Sequence, residues 1–304
     1  MTHSDDEIRR GYAFGISCYL LWGIMPIYFK FLLDITPVEI IAHRIGWSVL
    51  LLLVLALARR ELASILLLMG NRRLVAALAT SALLIAVNWL VYVWAVAHQH
   101  ILAASLGYFL NPLVSVALGV VVLKERLRPM QMVAIGLALL GVVMLAFSAL
   151  DTLWVTAMLA FSFAFYGLIR KVTPVDALPG LTIETLILFP VAGLYLGWLA
   201  VDGTLDFGQH LLSTLLLPLS GVLTSVPLLL FAQAARRLPL ATIGLLQYVT
   251  PSIQFMVGYL LYDEPLGSTK LFSFLLIWIA LAIFTYDTLG HLRRMRESRS
   301  MAAG

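Results

Sequence analysis

The 304-residue chain holds a single cysteine, Cys18, and it lies inside an apolar run. One thiol excludes an internal disulfide and any multi-cysteine metal centre. Charge is scarce as well: Asp, Glu, Lys and Arg make up 12% of the residues, where a soluble domain carries about 25%. No GxxxxGK[ST] phosphate loop occurs, so bound ATP does not drive a cycle within this chain. HExxH, an Asp-rich pair spaced for Mg²⁺ and a GxSxG elbow are missing, so no catalytic residue, metal ligand or cofactor is assigned. Neither a TVGYG filter nor a helix with Arg at every third position is present, which argues against a channel filter or voltage sensor.

What remains is apolar. Hydrophobic residues fill 62% of the positions and the mean hydropathy is +0.98. A soluble core of this length could not hide so much apolar surface, so lipid has to be its solvent. The net charge of +4 does not mark a nucleic-acid binder, because the basic residues lie in short clusters between apolar runs. The N-terminus, MTHSDDEIRR, is polar, and no small-residue cleavage site follows a short apolar core. A retained span from about Tyr12 is expected there, not a signal peptide.

Apolar windows of about 20 residues, broken by charges, prolines or polar turns, predict ten transmembrane helices. They are 11–32, 37–58, 73–97, 101–122, 130–149, 152–170, 180–200, 212–234, 239–262 and 269–289. Apart from 59–72 and 201–211 the connections are a few residues long, leaving no extramembrane domain to carry chemistry. Of the 20 Lys and Arg, all but Lys30, Arg44 and Lys270 fall on the side of the two termini. By the positive-inside rule that side is the cytoplasm.

The chain also repeats. Moving 102–127 forward by 139 positions lays Leu106, Pro112, Gly119, Glu125 and Leu127 on Leu245, Pro251, Gly258, Glu264 and Leu266. In the same register Tyr108, Asn111 and Ser115 fall on Gln247, Thr250 and Gln254, and Glu39 is matched by Glu184 at a slightly different offset. Five helices per half is an odd number, so the second half enters the membrane inverted, as in many secondary transporters. The expected organisation is an all-α membrane protein. A cytoplasmic tail (1–10) precedes a first five-helix repeat (11–149). An inverted second repeat (150–289) leads into a basic cytoplasmic tail (290–304).

An ionisable group within a span costs about 2.5–3.5 kcal/mol on insertion scales, so each one requires a reason. The second predicted helix carries Glu39 and His43 one turn apart, with Arg44 about 100° further round, and Lys30 approaches from the end of the first. This cluster serves either as a counter-charge and proton-exchange site or as an ion-pair clamp between two helices. Asn88 and Tyr92 form a second polar face, Tyr108, Asn111 and Ser115 a third, and Gln247, Thr250 and Gln254 a fourth. Such groups line a polar cavity or bond helix to helix. Their recurrence on symmetry-related helices favours the cavity, making Asn88, Tyr92, Tyr108, Asn111, Gln247, Thr250, Gln254 and Arg44 the candidate solute-binding residues. Trp22, Tyr28, Trp89, Trp94, Tyr108 and Tyr248 offer stacking surfaces for a flat solute.

Several segments together carry a resemblance to a known family: LLWGIMPIYFK (20–30), EIIAHRIGWS (39–48), NWLVYVWAV (88–96), AASLGYFLNPL (103–113), KERL (124–127), PVDALPGLTIETL (174–186) and LFAQAARRLPLATIGLLQYVTPSIQF (230–255). They resemble the RarD subgroup of EamA-type drug/metabolite transporters over nearly the whole chain. The resemblance implies ten helices in two inverted EamA repeats, a bacterial inner membrane and export of small organic solutes by a carrier. The expected function is a secondary transporter of a small metabolite or drug, with proton coupling plausible in the absence of an ATP site. The weighed alternatives are a channel or lipid scramblase, and a membrane-embedded lipid-modifying enzyme. The expected partners are a small organic solute and the bilayer, with no nucleic acid; a homodimer is left open.

Overall fold

The computed structural model describes residues 5–98, 100–146, 153–261 and 268–303. Among them the secondary structure is helical throughout, with no strand. In order, the helices are α1 (Asp5–Phe29), α2 (Pro37–Ala58), α3 (Leu62–Met69), α4 (Arg72–Ala97), α5 (Ile101–Val121) and α6 (Pro129–Ala146). Then follow α7 (Leu153–Val172), α8 (Ala177–Asp202), α9 (Leu211–Arg237), α10 (Leu240–Gln247), α11 (Val249–Leu261) and α12 (Ser268–Ala303). A bilayer core offers the backbone no water, so a helix, which bonds its own N–H and C=O groups, is the form these apolar runs take.

Seven helices are long and apolar enough to cross a bilayer: α1, α2, α4, α7, α8, α9 and α12. The apolar stretches in α5 (Leu106–Val121) and α6 (Pro129–Met144) are shorter, and α10 and α11 reach span length only together.

Three details differ from the sequence reading. The connection 59–72 contains a helix of its own, α3. The predicted ninth helix breaks at Tyr248, where Pro251 has no N–H to return to the carbonyl of Gln247 and the Tyr248 amide bonds instead to Leu245, three residues back. The last helix runs beyond its apolar part to Ala303. Glu264 and Leu266, two markers of the internal repeat, lie outside the described residues.

The surface is that of a protein in oil. Val201, Leu67, Leu194 and Leu33 are each more than three-quarters exposed, whereas Glu39, Ser81, Asn88, Asn111, Arg170 and Glu184 are buried to 2% or less. The interior is closed by an aromatic cluster in which Trp22 of α1 meets Phe163 of α7 and Phe231 of α9, with Tyr166 stacked on Phe231.

Local sequence places the helix ends. Thr36 caps α2, accepting from the Glu39 amide, with Pro37 at the first helical position where its missing N–H costs nothing. Gly203, at φ 76°, closes α8, a left-handed conformation that suits glycine. The closest packing is of α5 and α4 on α7, α1 on α9, α2 on α8 and α9, α10 on α5, α1 on α11, and α6 on α12. Gly221 lets α9 approach α2: a Cβ there would sit 2.6 Å from the Trp47 carbonyl carbon. Ser48 donates to the Gly221 carbonyl across that contact.

Candidate functional site

The approach of α2 to α9 at Gly221 fixes the setting of Arg44, one turn before Ser48. Arg44 lies seven residues into α2, about 10 Å along the helix axis, and is half-buried. Its Nε donates to Thr224 Oγ1 of α9 at 2.8 Å. The guanidinium carbon stands 4.8 Å from the centre of the Trp89 ring on α4 and 5.9 Å from that of Phe29 on α1. Ring faces at these distances attract a cation, offsetting part of its transfer cost. Tyr28, Tyr92 and Tyr108 lie within electrostatic reach, and the Tyr92 and Tyr108 rings pair at 5.8 Å. Four helices thus converge on one positive charge.

Among the described residues no carboxylate lies within ion-pair distance of Arg44, and its two terminal nitrogens are neither hydrogen-bonded nor sealed from the surroundings. Thr224 occupies one edge of the guanidinium, so the outer fork stays free, in the geometry that binds a carboxylate by two parallel hydrogen bonds.

The predicted charge cluster separates. Glu39 is buried, accepts from the Asp206 amide at 2.9 Å and lies 3.5 Å from His43 Nε2. The His43 ring packs on Phe207 at 5.4 Å. These two side chains fasten the start of α2 to the α8–α9 connection. Lys30 is exposed in the 3₁₀ turn that ends α1. The predicted amides also divide. Asn88 donates to the Leu159 carbonyl at 2.9 Å and to Ser162 Oγ at 3.0 Å, and Asn111 donates to the Ala160 carbonyl at 3.0 Å, all on α7. Thr250 donates to the Tyr19 carbonyl at 2.9 Å and Gln254 to the Trp22 carbonyl at 3.3 Å, both on α1. Gln247, at the end of α10, is buried, and its amide makes no hydrogen bond to the described residues. Of the predicted solute-binding residues, Tyr92 and Tyr108 join Arg44, together with Trp89 and Tyr28 from the predicted stacking surfaces.

Phe29 and Thr224 escape sequence reasoning, since neither belongs to a polar face or a repeated pattern. Two further charged groups were legible only in part. Arg170 reads as a cytoplasmic charge at the end of the predicted helix 152–170, yet it is 1% exposed and lies 3.5 Å from Glu184, itself 2% exposed. Ser81 Oγ also donates to Glu184. A Cβ on Gly180 would collide with the Arg170 guanidinium, so the glycine makes the space. Glu125 reads as a repeat marker. In the structure its carboxylate accepts from the Leu240 and Ala241 amides at 2.7 and 2.9 Å, holding the first turn of α10, where a negative charge is favoured. Lys171 stands 4.0 Å from it and donates to the Ala235 carbonyl at 3.2 Å.

At this same end Arg237 meets Glu7 and Arg128 meets Asp287, each at 2.7 Å, and Arg236 meets Asp176. At the other end, among the described residues, no Lys or Arg is paired with a carboxylate, and Glu39 has only the His43 ring beside it at 3.5 Å. A groove of about 570 Å³ between α1, α11 and α12 is lined by Leu20, Ile253, Met256, Trp278 and other mainly apolar residues. Acyl chains suffice to fill it, and no predicted site residue lines it.

A bundle whose exterior is oil-like and whose longest helices are apolar enough to cross a bilayer is a multi-pass membrane protein. Known proteins agree. An uncharacterized transporter of Pseudomonas aeruginosa is 45% identical over 96% of this chain and 98% of its own length. The protein RarD of Escherichia coli is 42% identical over 95% of this chain and 98% of its own length. One crystal structure, 17% identical, superposes with a TM-score of 0.70 over 91% of this chain and 97% of the other; that likeness supports the fold. The EamA-like transporter family matches residues 9–147. The protein is therefore a membrane transporter. It belongs to the EamA-like transporter family, among the relatives of RarD.

Proposed function

We propose that the chain is a secondary carrier of a small organic solute, working by alternating access across the bacterial inner membrane. Arg44 carries this reading. An accessible guanidinium without a counter-ion, inside the membrane, is expensive; a solute site needs one and a packing interface does not. In this reading Arg44, Tyr92 and Tyr108 face the solute together with Trp89, Phe29 and Thr224. Asn88, Asn111, Thr250 and Gln254 hold helices together, and Glu39 with His43 fastens α2 at its outer end. Gln247, buried and without a hydrogen bond to the described residues, is the one further polar group assigned to the solute path.

Ten spans then form two inverted repeats, 11–149 and 150–289, with α10 and α11 counting as one. The packing supports this. Exchange α1 for α7, α2 for α8, α4 for α9, α5 for α10–α11 and α6 for α12, and the α1/α9 pair becomes α7/α4. The α5/α7 pair becomes α1 with α10–α11, while α2/α8, α5/α10 and α6/α12 map onto themselves. The family match to 9–147 also ends where the first repeat would. The end rich in Arg and Lys, with both termini, is assigned to the cytoplasm.

Counterflow in proteoliposomes tests the carrier. Saturable, competed exchange is expected for some solute in a panel of aromatic metabolites and antibiotics. Flux that is linear and uncompeted would mark a pore, and chemical conversion of the solute an enzyme.

Alternating access requires an end that closes, and the cytoplasmic ion pairs around Glu125 supply it. Glu125→Ala removes two charge-assisted hydrogen bonds from the start of α10. Each contributes about 1.5–3 kcal/mol, so hydrogen exchange of the Leu240 and Ala241 amides is expected to rise by about 10- to 100-fold. Unchanged exchange at these amides would remove Glu125 from the closure.

A further inference from the structure

We propose that Arg44 recognises the carboxylate of a monoanionic, planar organic solute. This rests on the carrier reading above and names the solute class of the same site. Three observations carry it. First, the terminal nitrogens of Arg44 make no hydrogen bond among the described residues and remain accessible, so a paired set of donors is free. Second, Thr224 holds Nε at 2.8 Å while Trp89 and Phe29 flank the guanidinium at 4.8 and 5.9 Å. The fork is thereby oriented before a ligand arrives, which lowers the entropic cost of binding. Third, the wall beside the fork is aromatic. Trp89, Phe29 and the Tyr92–Tyr108 pair offer ring faces to a flat group attached to the carboxylate, where offset stacking adds to burial.

Charge balance narrows the class. One guanidinium with no described acid beside it neutralises one negative charge, which a carboxylate supplies. A phosphate monoester brings about −1.5 to −2 at neutral pH, leaving excess negative charge in a low-dielectric space. A neutral solute would leave the buried cation without a partner, the costly outcome for a charged group away from water. Arg, not Lys, suits this position, because only its planar fork bonds a carboxylate at two points while lying against a ring.

The test uses the full chain purified in detergent, with benzoate, 3-phenylpropanoate and indole-3-acetate as probes, each beside its primary amide. Titration calorimetry is expected to show at least one acid binding about 10- to 100-fold more tightly than its amide, the ratio that a charge-assisted bond represents. Arg44→Gln should remove most of the acid's advantage over its amide, with a much smaller loss for the amide. Arg44→Lys should fall between. Equal affinity for acid and amide, binding of none of the acids at millimolar concentration, tighter binding of phenyl phosphate, or full affinity in Arg44→Gln would each overturn the proposal. If Arg44→Gln does not fold, the comparison of acid with amide in the unaltered protein decides alone. The carrier reading fails separately. Saturable counterflow of an amide with no preference for its acid would remove the carboxylate site and keep the carrier. Tight acid binding without exchange of any solute would do the reverse.

Discussion

Arg44→Ala is expected to reduce saturable counterflow by about 100-fold or more while the protein still inserts and elutes as a single species, since a charge-assisted fork contributes about 1.5–3 kcal/mol per bond. Arg44→Lys keeps the charge but loses the fork and the ring contact, so it should recover only a small part. The informative contrast is Asn111→Ala. Asn111 donates to the Ala160 carbonyl from a fully buried position, and interhelical hydrogen bonds in membranes contribute about 0.6–1.7 kcal/mol. That variant should unfold at lower denaturant and transport at near-normal rates once folded. Should Arg44→Ala transport normally, or should Asn111→Ala be as inactive as Arg44→Ala with its stability intact, the assignment of the two residues would have to be exchanged.

The largest effect on stability is expected at Arg170 and Glu184. Both are sealed from the surroundings, and removing one partner leaves the other as an uncompensated buried charge. Breaking such a pair costs about 3–5 kcal/mol, whereas replacing both by apolar groups of similar size is often neutral. Arg170→Met and Glu184→Leu should therefore each be strongly destabilised in SDS unfolding. The double variant Arg170→Met/Glu184→Leu should regain most of the loss. A double variant as unstable as the sum of the singles would mean the two charges act independently, against the 3.5 Å separation. Ser81 adds a dependency, since its hydroxyl also donates to Glu184, so Ser81→Ala should weaken the single Arg170→Met further.

The apolar runs were legible because lipid imposes a length on every span and excludes charge from it, and both constraints are written residue by residue. For that reason the membrane class, the run positions and the family follow from order alone, and α2 begins at Pro37 and ends at Ala58 as read. The charges inside spans were legible for the same reason, Arg44 and Glu39 among them. Their partners were not. Glu39 and His43 share a face with each other, and helical spacing shows that much; that an amide of the α8–α9 connection satisfies Glu39 is a fact about a segment 167 positions away. Asn88 and Asn111 look like cavity groups in one dimension and spend their donors on α7 in three. Phe29 and Thr224 carry no pattern at all, and they become parts of a site only because Gly221 allows α9 to lie against α2. Sequence by itself determined which residues had to be in the membrane and which of them were costly there. The tertiary structure decided which of those costs are met by a neighbour, because a hydrogen bond or ion pair depends on separation in space. Arg44 differs from Arg170 in that, among the described residues, no carboxylate lies within ion-pair distance of it.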